Sequence, residues 1–344
     1  MREFDYDLPP RLIAQTPLAR GSYSRLLVLD RSTDDVRHRH FGDLPALLSP
    51  GDLVVVNDTR VIPARMIGHR RSGGAVEILL LRKEEGGLWR ALVRPARRLK
   101  TGEEVLFKSH RDGASRVGAA ILVEKLPDGV ALVELDGQLT GHLNDFGRVP
   151  LPPYITQELK DDERYQTVFS IQSGSAAAPT AGLHFTPDVL DDLDAQGVLV
   201  SRVTLHVGLD TFRPITEEFA EDHTIHKEWC SVPKATANAI AETKERGNRI
   251  IAVGTTVART LESYAQAGGL LRREAFSGMT GIYITPGYSW KAVDGLITNF
   301  HLPRSTLLLM ISSFAGQERV MCVYQEAIAA EYRFFSFGDA MLIL

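Results

Sequence analysis

The chain has 344 residues, 44% of them hydrophobic and 24% charged, with a formal net charge of −4, a balance that suits one large packed domain and a smaller one and excludes a protein that coats nucleic acid indiscriminately. No apolar run approaches the roughly 20 residues of a membrane helix. Two cysteines, Cys230 and Cys322, and an acidic, proline-bearing start, MREFDYDLPP, set the expectation of a cytoplasmic protein with reduced thiols.

In chain order, the first strong element is an apolar strand at 52–56. It is closed by Asn57-Asp58-Thr59-Arg60, a polar cluster that fits either a ligand contact or an Asx-turn with a surface ion pair. From 61 to 150 the rhythm changes. Short β-rich runs at 75–81, 88–93, 104–107, 118–123 and 130–135 alternate with turn signals such as Gly73-Gly74, Gly86-Gly87, Thr101-Gly102, Asp112-Gly113 and Asp128-Gly129. That spacing predicts an antiparallel sheet or small barrel. After Pro152-Pro153, strands alternate with capped helices. Thr186-Pro187 opens a helix closed by Gly197, a strand follows at 198–207, and a second helix runs from Pro233 to near Gly247. A strand at 249–253 leads into a helix at 257–267. Strand-like runs at 281–285 and 295–299 precede a helix from Ser305, a last helix at 319–332 and a strand at 340–344. The predicted fold is α/β, with a largely parallel sheet and flanking helices over 1–60 and 151–344, plus an inserted antiparallel β-barrel-like domain over 61–150.

Charge is uneven along this plan. Residues 60–116 hold 14 Lys or Arg against 6 Asp or Glu, a balance of +8 on a body that is otherwise −12. Such a segment is either a polyanion contact or the solvated face of a small β domain.

Arg249-Ile-Ile-Ala-Val-Gly254-Thr255-Thr256 joins a strand to a helix through a glycine and two hydroxyls. This is a place for a polar or anionic ligand group, or plain helix capping. It contains no glycine-rich dinucleotide motif and no P-loop. Three histidines, His184, His206 and His301, fall beside predicted strand ends or a capped helix. Together they would suit proton transfer, and singly each would equally serve as a hydrogen-bonded structural residue. His223-x-x-His226-x-x-x-Cys230 offers metal-ligand types without the paired spacing of a zinc site, so no metal is expected.

The same segments carry a resemblance that covers nearly the whole chain. They are Phe4-Asp-Tyr-Asp-Leu-Pro, Leu12-Ile-Ala-Gln15, Gly51-Asp-Leu-Val-Val-Val-Asn-Asp-Thr-Arg-Val-Ile-Pro-Ala-Arg65 and Pro150-Leu-Pro-Pro-Tyr-Ile155. Further on come Ala178-Pro-Thr-Ala-Gly-Leu-His-Phe-Thr186, Leu205-His-Val-Gly-Leu-Asp-Thr-Phe-Arg-Pro214, Val253-Gly-Thr-Thr256, Asp294-Gly-Leu-Ile-Thr-Asn-Phe-His-Leu-Pro303 and Tyr332-Arg-Phe-Phe-Ser-Phe-Gly-Asp-Ala-Met341. In that order they resemble the S-adenosylmethionine:tRNA ribosyltransferase-isomerases of queuosine biosynthesis. Two departures are Val257-Ala258, where that family more often has serine then valine, and Asp210, where glycine is common.

The resemblance implies a monomer, working away from membranes, that acts on tRNA carrying 7-aminomethyl-7-deazaguanine at the wobble position. S-adenosylmethionine would be the co-substrate, with epoxyqueuosine-tRNA, adenine and methionine as products. It suggests His184, His206 and His301 for proton transfer, with Asp58 and Asp339 as acids or orienters. Gly254, Thr255, Thr256, Arg259 and Asn299 would hold S-adenosylmethionine, and Phe212, Tyr283 or Trp290 could face its sulfonium. Asn57, Arg60, Thr180 and Arg213 would contact substrate, and Arg97, Arg98 and Lys100 would hold the anticodon arm.

Overall fold

A computed structural model describes residues 1–110, 116–208, 215 and 217–344. The chain forms two compact units. One comprises Met1–Thr59, Pro152–Gln172 and Ala178–Leu344, and the other Arg60–Leu151 with Ser173–Ala177.

The larger unit is built on a nine-stranded sheet, ordered Phe276–Thr280, Glu228–Val232, Leu199–Leu205, Leu53–Asn57, Ile250–Val253, Gly295–Asn299, Ala340–Ile343, Arg25–Leu29 and Val36–His40. The four strands from Leu199–Leu205 to Gly295–Asn299 run parallel. Outside them the sheet becomes mixed: Glu228–Val232, Phe276–Thr280 and Val36–His40 add antiparallel edges, and Ala340–Ile343 runs antiparallel to Gly295–Asn299 but parallel to Arg25–Leu29. The parallel alternation predicted from sequence is thus the centre of the sheet.

Central strands are apolar on both faces because both faces are covered. Leu53, Val55, Ile250, Ala252 and Leu296 pack on one side with the helices Thr255–Gln266, Thr306–Ala315 and Gln317–Ala329. Val54, Val56, Ile251, Val253 and Ile297 pack on the other side with Val189 and Leu193 of the helix Pro187–Ala195. That helix starts where Thr186 accepts from the Val189 amide at 3.4 Å, with Pro187 in its first turn.

The strand expected at 281–285 is not formed. Phe276–Thr280 takes its place, pairing Glu228 with Thr280 and Val232 with Phe276. Its sequence, FSGMT, lacks the apolar alternation that reveals a strand. Residues 111–115, including the Asp112-Gly113 turn signal, lie outside the described residues.

The smaller unit is a closed antiparallel barrel of six strands: Arg65–Arg70, Ala75–Lys83, Trp89–Arg94, Val130–Leu135, Val117–Lys125 and Glu104–Lys108, the last pairing back to the first through His69–Leu106 and Arg70–Val105. Val76, Ile78, Leu80, Val93, Phe107, Leu122 and Val133 fill its interior. Gly68 is needed for closure, because a Cβ there would lie 2.7 Å from the Phe107 ring.

Candidate active site

Parallel strands in an open sheet leave a crevice beyond their carboxyl ends, where chain reversals expose backbone groups and side chains converge. Four such ends meet in the larger unit. Asn57 closes the first strand; its Oδ1 accepts from the Leu205 amide at 3.0 Å, and its Nδ2 donates to the Leu205 carbonyl at 2.9 Å and to Thr256 Oγ1 at 3.3 Å. Gly254 follows the next strand at φ +86, and its amide donates to the Ile297 carbonyl at 2.7 Å. That positive φ swings the chain into the helix Thr255–Gln266 and leaves Thr255 and Thr256 at its amino end. Asn299 ends the third strand, with Phe300 and His301 beyond it.

Gly254, Thr255, Thr256, Asn299, Phe300 and His301 line a cavity of about 50 Å³ together with Val207, Thr298, Leu302, Ser305 and Leu307, while Asn57 braces the Thr256 side chain from outside it. Residues 178–181, Tyr154, Phe335 and Ser336 complete the wall. Among the described residues that line it there is no lysine, arginine, aspartate or glutamate. The lining is hydroxyls, one amide, one imidazole and apolar side chains.

Of the predicted site residues, Gly254, Thr255, Thr256, Thr180, Asn299 and His301 are brought to this cavity. His301 is buried, with Nε2 2.6 Å from Thr298 Oγ1. Its backbone is tied twice, the amide donating to the Tyr324 hydroxyl at 2.9 Å and the carbonyl accepting from Tyr6. Burial pushes its imidazole down to about 3, so the ring is neutral at physiological pH.

The other two histidines have different surroundings. His184 lies behind the wall, stacked on Phe41 at 5.1 Å. Asn299 Nδ2 donates to its Nε2 at 3.2 Å, which leaves Nδ1–H to donate to Ser24 Oγ at 2.7 Å, while Ser24 donates to the Gly21 carbonyl at 2.6 Å. Both ring nitrogens are engaged, and burial pushes this imidazole down to about 4. His206 stacks on Trp229 at 5.2 Å, with Nδ1 2.8 Å from Thr59 Oγ1, and burial lowers it too.

The two acids sit off the cavity. Asp58 is buried and accepts from Thr204 Oγ1 at 2.7 Å; burial raises its carboxyl. Asp339 receives the Arg25 amide at 2.9 Å, the Arg333 amide at 2.8 Å and the Arg25 guanidinium at 3.3 Å, so its oxygens are committed to holding the turn before the Ala340–Ile343 strand. Arg259 is buried in an ion pair with Glu228, whose other oxygen accepts the Gly208 amide at 2.7 Å. Tyr283 donates to the Ala220 carbonyl at 3.0 Å and Trp290 to Ser313 Oγ at 3.2 Å; neither lines the cavity. Phe212 and Arg213, and the departure at Asp210, fall outside the described residues. Cys230 and Cys322 are free thiols, and His223 bonds Glu217.

Sequence reasoning missed Tyr154, Ser305, Phe335 and Ser336. The segments 150–155 and 332–341 were visible as motifs, but their aromatics are equally explained by packing, and nothing local says that a tyrosine and a serine 182 residues apart meet at 2.7 Å.

In the barrel, Glu77, Glu84, Glu103 and Glu104 are taken up by Arg65, Arg82 and Arg90, Arg70 and Arg71. Arg94, Arg97, Arg98 and Lys100 are exposed around the 3₁₀ turn Ala96–Arg98, with no ion pair among the described residues. Four of the segment's basic residues are therefore gathered around one turn. Arg60 is the first residue of this unit.

A family model described as queuosine biosynthesis protein matches residues 1–343. Among similar proteins, one from Staphylococcus haemolyticus, named S-adenosylmethionine:tRNA ribosyltransferase-isomerase, is 49% identical over all of this chain and 99% of its own length. One of the same name from Moorella thermoacetica is 50% identical, with the same coverage. The crystal structure of S-adenosylmethionine tRNA ribosyltransferase from Thermotoga maritima is 40% identical, covers 99% of this chain and 100% of that one, and superposes with a TM-score of 0.58.

Proposed function

Because the chain belongs to the queuosine biosynthesis protein family, we propose that this enzyme transfers and isomerises the ribosyl group of S-adenosylmethionine onto 7-aminomethyl-7-deazaguanine at the tRNA wobble position. Epoxyqueuosine-tRNA, adenine and methionine are the products. The observation that carries this reading is the uncharged, hydroxyl-rich cavity with His301 in its wall, at the carboxyl ends of the parallel strands. It requires no metal and takes place in the cytoplasm, on a monomer.

The chemistry sets the requirements. The sulfonium acidifies the adjacent ribose carbon, a base removes that proton, ring opening releases adenine, and the neutral aminomethyl group attacks before epoxide closure expels methionine. His301 is the base, since among the described residues it is the imidazole that lines the cavity, and it is neutral. Gly254, Thr255, Thr256 and Asn299 hold the ribose and methionyl portions through N–H and hydroxyl groups. His184 holds the Asn299 amide in register from behind. His206 and Asp58 stand beside Thr59 and Thr204, where they supply further proton-transfer capacity. The Arg97, Arg98 and Lys100 turn holds the RNA backbone.

Mass spectrometry of the products formed from S-adenosylmethionine and tRNA bearing the aminomethyl-deazaguanine tests this. Free adenine, methionine and a tRNA heavier by the ribosyl-derived group are expected. S-adenosylhomocysteine with methylated tRNA would instead mark a methyltransferase, and tight binding without product an RNA-binding module.

A further inference from the structure

Release of adenine leaves an electron pair on a purine nitrogen, and that nitrogen needs a proton. Among the described residues that line the cavity there is no carboxylic acid or ammonium to give one. The O–H groups of its described lining are the serines, the threonines and Tyr154, and a phenol is an intrinsically stronger acid than an aliphatic alcohol.

Tyr154 is held for such a role. Its carbonyl accepts from Gln15 Nε2 at 2.9 Å, and Gln15 Oε1 in turn accepts from the Thr156 amide at 2.9 Å, so one side chain clamps the backbone on both sides of residue 155. The ring packs on Phe335 at 4.8 Å, and the hydroxyl lies 2.7 Å from Ser336 Oγ. Burial raises the phenol, which keeps it protonated at neutral pH.

Ser336 reaches this position through a strained turn. Phe335 has φ +70, a left-handed conformation that is strained for a bulky residue. Three hydrogen bonds hold it there: its amide donates to the Phe300 carbonyl at 3.1 Å, and its carbonyl accepts from Asn299 Nδ2 at 3.0 Å and from the Gly338 amide at 2.9 Å. A Cβ at Gly338 would lie 2.4 Å from the Arg333 carbonyl, so the turn admits no side chain there. Strain at a cavity wall, maintained by the side chain of another lining residue, sets the direction of the Ser336 hydroxyl.

We propose that Tyr154 is the general acid that protonates the departing purine, with Ser336 as the hydrogen-bond partner that steadies the tyrosinate. This rests on the ribosyl-transfer reading above. As the bond between the anomeric carbon and the purine breaks, its electron pair stays on the purine nitrogen, which takes the Tyr154 proton. The oxygen freed by ring opening closes the carbonyl. The proton that His301 took from the ribose carbon then returns to the tyrosinate, so no net charge accumulates.

The test is adenine release by the Tyr154→Phe enzyme, measured with S-adenosylmethionine and with an analogue whose base is the more acidic 8-azaadenine. Phenylalanine keeps the packing on Phe335 and removes only the hydroxyl. With adenine as leaving group, kcat is expected to fall about 10²- to 10³-fold with KM for S-adenosylmethionine within threefold; with 8-azaadenine the loss shrinks to about tenfold or less. A fall under threefold, or an equal loss for both bases, overturns the proposal. Ser336→Ala, expected to lose about tenfold and to recover on the analogue, decides the matter if Tyr154→Phe does not fold. Failure of the wild-type enzyme to release adenine from either compound would overturn the ribosyl-transfer reading itself, and this proposal with it.

Discussion

The cavity of the larger unit and the basic turn of the barrel are made from opposite materials. One is buried, uncharged among its described lining residues and assembled from six separate stretches of chain. The other is exposed, strongly positive and contained in seven consecutive residues from Arg94 to Lys100. Chemistry that creates and cancels charge gains from a site whose own dipoles are fixed and whose titratable groups are neutral. Capture of a polyanion needs only unpaired cations in water, and tolerates freedom in their arrangement. The difference teaches that sequence reports the second kind of site through composition and the first only through folding.

The sharpest way to break this division is at His301. His301→Ala is expected to lower single-turnover adenine release about 10³-fold with little change in tRNA affinity. Because the folded imidazole titrates near 3, wild-type turnover should show no loss from this group between pH 8 and 5; a fall centred near 6.5 would assign the base elsewhere.

The barrel turn comes next. Changing Arg97, Arg98 and Lys100 together to Glu should raise KM for tRNA about 10- to 100-fold, leave kcat within a few-fold and flatten the salt dependence of binding. An unchanged KM would remove the turn from the interface.

The smallest effect is a stability effect at His184. The unfolded imidazole binds a proton near 6.5 and the folded one only near 4, so the unfolded state gains protons first as pH falls. The contribution of the neutral ring is therefore fully present above about 6.5 and is lost progressively down to about 4. His184→Gln should flatten the pH dependence of the urea midpoint over that window, and Ser24→Ala, which removes the Nδ1 partner, should cost about 1 kcal/mol.

What was legible follows from distance along the chain. Gly254-Thr255-Thr256 and the asparagine and histidine of Asn299-Phe-His301 were readable because strand, turn and helix start are contiguous there. The barrel was readable from its turn spacing. The separate surroundings of the three histidines were not, since those depend on Phe41, Ser24, Trp229 and Thr298 arriving from elsewhere. The Phe276–Thr280 strand escaped because its pairing with Glu228–Val232, and not its own composition, makes it a strand.

One feature of the sheet also governs how the protein is made. Ala340–Ile343 lies between Gly295–Asn299 and Arg25–Leu29, and contacts at that seam join residues 314 positions apart, as between Arg25 and Asp339. During synthesis, at about 5–20 residues per second, the early Arg25–Leu29 strand must wait through most of translation for its inner neighbour. Its apolar side chains, Leu26 and Val28 on one face and Leu27 and Leu29 on the other, lack that neighbour over the interval. The barrel, complete by residue 148, is free to fold long before.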